Sequence, residues 1–199
     1  MTNPLYPEKK DQFKPLRWEP PLSLSEEEGT LAESILTKAT EGKFDELKDA
    51  LSSKQELSGA VIEYTLRQCP SDNSERVKSL CLKALMGKRN PLELLEQEKD
   101  PNRRVVLAHL LVDDYAGTFA YHFEHLFTGA TVENRLGLCH EIVKKDEHSP
   151  AALAKNFNKL GLDGDDLREQ RLSLCMEIAK QGDYAAKSLA ENFNKLGLD

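Results

Sequence analysis

Residues 135–163 recur as residues 171–199 at an offset of 36 with no gap; 17 of the 29 positions are identical, and 156–163 reappear letter for letter as 192–199. Self-similarity at such a period marks a supersecondary unit whose apolar face is too wide to bury alone, so copies must stack. A more diverged copy lies upstream, where 104–111 align with 135–142 and 119–126 align with 153–160, with the inner connection three residues shorter. Each copy reads as two helices. At 100° per residue, Leu136, Leu138, Cys139, Ile142 and Val143 fill an arc of about 160°, which predicts an inner, buried helix. In the second helix Leu153, Phe157 and Leu160 make a narrow stripe flanked by Ala154, so most of that cylinder is expected to face water.

Punctuation elsewhere extends the helical reading over the chain. Ser25 precedes three acids, Glu26, Glu27 and Glu28, an arrangement that suits a helix start. Asn90 before Pro91, Asp100 before Pro101 and Ser149 before Pro150 place a capping side chain ahead of a proline at the first helical position. Gly42, Cys69 with Pro70, Gly87, Gly129, Gly161 and Gly197 are expected stops, and Asp166 with Glu169 is an expected capping box. About eleven helices and no lasting strand alternation follow, hence an all-α chain. Residues 1–24 form a proline-rich arm expected to run extended through Phe13, Leu16 and Trp18, 25–100 divergent helical hairpins, and 101–199 helical repeats with units near 104–127, 135–163 and 171–199.

The chain resembles α-helical solenoids of ankyrin or HEAT type, built of stacked antiparallel helix pairs. Residues 39–51 (Ala-Thr-Glu-Gly-Lys-Phe-Asp-Glu-Leu-Lys-Asp-Ala-Leu) are similar to the helix-turn-helix phrase of ankyrin repeats. That likeness covers this hairpin alone. No Thr-Pro-Leu-His tetrapeptide is present and the period exceeds the ankyrin one, so no specific family follows. The resemblance implies a right-handed curved rod that binds other proteins.

Composition narrows the function. A net charge of -7, from 34 acids against 27 bases, argues against a nucleic-acid partner, because phosphate binding draws its affinity from clustered Lys and Arg. The runs Lys88-Arg89 and Arg103-Arg104 read as solvated helix ends. No run approaches the roughly 20 apolar residues of a membrane span, and the first residues lack a signal peptide's blocks, so a cytoplasmic location is expected. Cys69, Cys81, Cys139 and Cys175 are far apart with no C-x-x-C pair, and read as reduced core thiols.

No cofactor is indicated. His122 and His125 are three apart on one expected helix, short of the His-Glu-x-x-His zinc motif and without a third ligand. His109 and His140 occupy equivalent positions, with Met176 in the third unit. The turn at Asp163, Gly164, Asp165 and Asp166 lacks the ligand spacing of a calcium loop. Arg104, Arg135 and Arg171 recur and are expected to bridge adjacent units through acids such as Glu141 and Glu177.

The leading expectation is a non-enzymatic scaffold that binds another protein or peptide along a groove lined by one helix of each pair. The candidate partner-binding residues are His122, His125, Asn156, Lys159, Asn192, Lys195 and Trp18. Self-association through the C-terminal repeat is a further expectation, with an open side around Leu172, Cys175 and Ile178. Two rival readings stand beside it. One is an enzyme or metal-binding protein with its site near His122 and His125 and the turn Asp113, Asp114, Tyr115. The other is a bacterial effector, acting in host cytosol, whose helical repeats supply the binding surface.

Overall fold

A computed structural model describes residues 22–52, 57–87 and 89–198, so Phe13, Leu16, Trp18 and nearly all of the arm lie outside the described residues, as does Lys88. Among the described residues the chain is all-α, with no strand. The α-helices are α1 (Glu26–Thr40), α2 (Phe44–Ser52), α3 (Gly59–Gln68), α4 (Ser71–Met86), α5 (Pro91–Gln97), α6 (Pro101–Tyr121), α7 (Phe123–Phe127), α8 (Val132–Val143), α9 (Ser149–Lys155), α10 (Arg168–Ala179) and α11 (Asp183–Glu191). None is long and apolar enough to cross a membrane.

Local chemistry sets most boundaries. Ser25 accepts from the Glu28 amide while the Glu28 carboxylate accepts from the Ser25 amide, a reciprocal cap, and Asn90 with Glu93 repeats the device on α5. Asp100 accepts from the amides of Asn102 and Arg103 at the start of α6. Two expected starts differ. Ser149 is not the cap of α9; Asp146 Oδ1 accepts from the amides of His148 and Ser149, both at 2.7 Å, and its other oxygen accepts from the Ser149 hydroxyl. Asp166 does not cap α10 either. A 3₁₀ turn, Asp165–Leu167, leads into that helix, and no side chain caps it.

The two sequence copies share the local geometry with which their second helices end. α9 and α11 each end at an asparagine, Asn156 or Asn192, whose amide nitrogen donates to the carbonyl four residues back, Ala152 or Ser188, at 3.0 and 2.8 Å. A 3₁₀ turn follows in both, Phe157–Lys159 and Phe193–Lys195, and then a left-handed glycine, Gly161 at φ 64° or Gly197 at φ 58°. In the diverged upstream copy no loop separates the two segments: α6 runs through both with a kink at Tyr115 (φ −130°, ψ 17°), and α7 follows.

Packing follows chain order. α1 packs on α3, α3 on α6, α6 on α8 and α8 on α10, while α2 packs on α4 and α9 on α11. The buried side chains form one continuous cluster from Leu31 to Leu196. Leu138, Cys139, Ile142 and Val143 are buried and Leu136 is half-buried, as the wide arc requires. The second helix departs from expectation. Ser149, Pro150, Ala151, Ala152, Leu153 and Ala154 are all buried, because this small-residue helix is enclosed by α6, α8, α10 and α11.

Of the three recurring arginines, Arg104 and Arg171 bridge separate segments through backbone carbonyls and not through acids. Arg171 is buried and donates from Nη1 to the carbonyls of Leu162 and Gly164, at 2.7 and 2.6 Å, and from Nε and Nη2 to that of Gly197, at 3.1 and 2.7 Å. Arg104 does the same with the carbonyls of Glu98 and Leu126. Arg135 lies against Gly161, where a Cβ would run into its guanidinium. A planar fork of donors satisfies helix-end carbonyls that carboxylates cannot. Arg103 is no solvated end either: it pairs with Glu28 and donates to Ser58 Oγ at 3.0 Å, tying α6 to α1 and α3.

Candidate functional site

A groove of about 650 Å³ crosses the N-terminal ends of α3, α6 and α8. Ala60 and Val106 line its floor, and Asp100, Asn102, Arg103, Thr131, Glu133 and Asn134 its walls, with Leu22 and Ser23 at one end. These positions meet because each helix enters the structure on the same side. Asn102 Oδ1 accepts from the Thr131 amide at 2.9 Å and from Asn134 Nδ2 at 2.8 Å, which fixes its amide plane. The side-chain Nδ2 of Asn102 has no hydrogen-bond partner among the described residues, so a donor stands in the groove wall.

The electrostatics of the groove are uneven. Arg103 contributes little positive potential, since Glu28 pairs with it and Glu98 lies 3.6 Å from its Nε. Burial pushes the Glu28 carboxyl up, but hydrogen bonds from Arg103, Ser25 and Ser58 outweigh it and hold the group below the usual carboxylate range. Asp100 and Glu133 are exposed on the rim. An acidic rim with a free amide donor suits an extended chain that offers carbonyls and a basic side chain.

The candidate binding residues occupy another surface, along the ends of the second helices. His122 is exposed at the junction of α6 and α7, and His125 Nε2 lies 3.1 Å from Glu96 Oε1. Lys159 Nζ is 3.7 Å from Glu124 of the preceding hairpin, and Lys195 Nζ donates to the Lys155 carbonyl at 3.0 Å. Asn156 and Asn192 spend their amide nitrogens on ending α9 and α11. His125, Lys159 and Lys195 thus each reach back to an earlier segment of the chain, while Trp18 lies outside the described residues. Among the described residues no group of three or more His, Cys, Asp or Glu could hold a metal ion.

The remaining titratable groups serve the joints between helices. Asp113 accepts from Lys78 at 2.9 Å and Lys145 at 2.6 Å, and hydrogen bonding to these two ammonium groups holds its carboxyl down at about 2. His140 Nδ1 lies 2.6 Å from Glu177 Oε2, joining α8 to α10. Burial lowers the His109 pKa, an effect opposed by Glu63 and Glu141 and helped by Lys78 and Lys145. Burial pushes the Cys81 thiol up to about 12 and Cys175 up to about 11, and raises Cys139 further.

Sequence reasoning missed the groove, whose wall comes from segments as far apart as Leu22 and Asn134. A readable trace was the pairing of a helix-cap residue with a nearby amide, Asp100 with Asn102 and Thr131 with Asn134. No protein-family model matches the chain, and neither a curated protein nor a solved structure matches it.

Proposed function

We propose that this chain is a non-enzymatic helical-repeat interaction module, an α-solenoid of stacked hairpins that holds an extended segment of another protein in the groove across α3, α6 and α8. The ordered contacts of α1, α3, α6, α8 and α10, the matched endings of α9 and α11, and the arginine clamps support the stacked reading. The groove is the observation that carries the binding reading. It crosses three successive elements on one side and combines an apolar floor, a donor at Asn102 and acids at Asp100 and Glu133. An extended segment with a basic residue satisfies all three features. A cytoplasmic setting is part of the same reading.

A photo-cross-linking amino acid placed at exposed Glu133 tests this, with the same group at exposed Lys187 on α11 as the control. The reading expects one discrete protein adduct from position 133 and none from 187. Asn102→Asp keeps the oxygen that accepts from Thr131 and Asn134 but deletes the free donor, and should reduce the adduct severalfold. Equal labelling from both positions, or an adduct indifferent to Asn102→Asp, would refute groove binding.

A further inference from the structure

Equivalent positions of the last two hairpins differ sharply in exposure. Phe157 is 2% exposed and its counterpart Phe193 is 58% exposed. Leu136 and His140 on α8 are half-buried, whereas Leu172 and Met176 on α10 are 45% and 53% exposed. The face that is covered on α8 and the turn after α9 is therefore repeated, apolar and uncovered, on α10 and the turn after α11. Cys175 and Ile178, expected at this opening, are buried.

One stripe of α10 has an order that suits a copy of itself. At 100° per residue, Leu172, Met176, Glu169 and Lys180 fall within an arc of about 80°. Glu169 and Lys180 are exposed and make no ion pair among the described residues. The stripe reads acid, apolar, apolar, base from its N-terminal end. When two such helices cross antiparallel, each Glu169 meets the other copy's Lys180 while Leu172 and Met176 meet at the centre. A head-to-tail arrangement offers nothing comparable: among the described residues of α1 to α4, no large hydrophobic side chain is strongly exposed.

We propose that two copies of this chain pair about a two-fold axis through the outer face of α10, with Leu172, Met176 and Phe193 at the centre and Glu169–Lys180 pairs at both ends. The pairing is closed, so it stops at two copies. It uses residues remote from the α3, α6, α8 groove, and groove binding and pairing therefore succeed or fail separately.

Sedimentation velocity on the full chain, from about 1 to about 200 μM, tests the proposal. The expected result is a monomer–dimer equilibrium with nothing larger. Met176→Asp, at an exposed position, should leave the helical circular dichroism intact and weaken pairing at least about tenfold. Glu169→Lys should weaken it too, by opposing two bases, and Glu169→Lys with Lys180→Glu should recover it, because the swap restores opposite charges across the axis. A monomer throughout the range overturns the proposal, as do growth beyond two copies, a dimer indifferent to Met176→Asp, and failure of the double reversal to recover pairing.

Discussion

Replacing Arg171 by Met isolates what the guanidinium clamp contributes, since methionine keeps much of the apolar stem and removes every donor. The buried Arg171 fork serves the carbonyls of Leu162, Gly164 and Gly197, so three acceptors lose a charged donor together. At about 1 to 1.5 kcal/mol for each, the gross loss is about 3 to 4.5 kcal/mol. Gly164 and Gly197 are exposed residues whose carbonyls water can reach in the variant, which brings the net loss to about 2 to 3 kcal/mol. A domain of this size shifts its Tm by about 2 to 4 °C per kcal/mol, so a drop of about 4 to 12 °C is expected. Urea unfolding at pH 7 supplies the free energy, and amide exchange should locate the loosening at α10 and the turn after α11. Lys187→Ala, at an exposed site, should stay within about 0.5 kcal/mol of wild type. An Arg171→Met variant equally close to wild type would refute the clamp.

Other expected outcomes follow from the same structure. Asp113 is held down at about 2, so its stabilising contribution is complete above the ordinary carboxylate value and fades as pH falls through about 4 towards 2. Because that side chain is half exposed, Asp113→Asn should cost less than about 1 kcal/mol at pH 7 and only a small part of that at pH 2, with 1 M salt shrinking the difference; equal loss at both pH values in chemical denaturation would contradict this. Leu153→Ala at a fully buried site should cost about 2 to 5 kcal/mol by the same assay, and a cost below about 1 kcal/mol would mean that α9 is not enclosed. Gly161→Ala must adopt positive φ and displace Arg135, and should cost about 1 to 3 kcal/mol, whereas Gly29→Ala inside α1, with open space around it, should stabilise by about 0.5 kcal/mol. With a thiol reagent at pH 8, Cys69 should react in the native protein and Cys139 only after unfolding; rapid labelling of Cys139 would contradict its burial.

Much of the fold was legible wherever the deciding interaction is local. Ser25 with Glu28, Asn90 with Glu93 and Gly42 between α1 and α2 act within one helical turn, and the sequence shows both partners at once. The duplicated Asn156 and Asn192 were visible as repeated letters, but their work, a bond to the carbonyl four residues back, leaves no mark in a polar pattern. Arg171 was harder still. Its partners are backbone carbonyls 7 to 26 residues away, which every residue type carries, so nothing in the letters distinguishes them from the acids that the charge pattern offers. The burial of α9 was lost for a related reason, since an alanine-rich helix has little hydrophobic contrast between its faces. The groove drew on four separated segments and could be found only once those were packed.

The central claim is that the hairpins succeed one another along an axis, and a distance between the two ends tests it most directly. Spin labels on cysteines replacing exposed Glu33 of α1 and exposed Glu169 of α10, in a Cys69→Ser background and at a concentration that keeps the chain monomeric, report that separation by double electron–electron resonance. From α1 through α3, α6 and α8 to α10 there are four interhelical steps of about 8 to 10 Å, which predicts a distribution centred near 30 to 40 Å. A distribution centred below about 20 Å would place the first and last hairpins side by side, and the stacked account would be wrong.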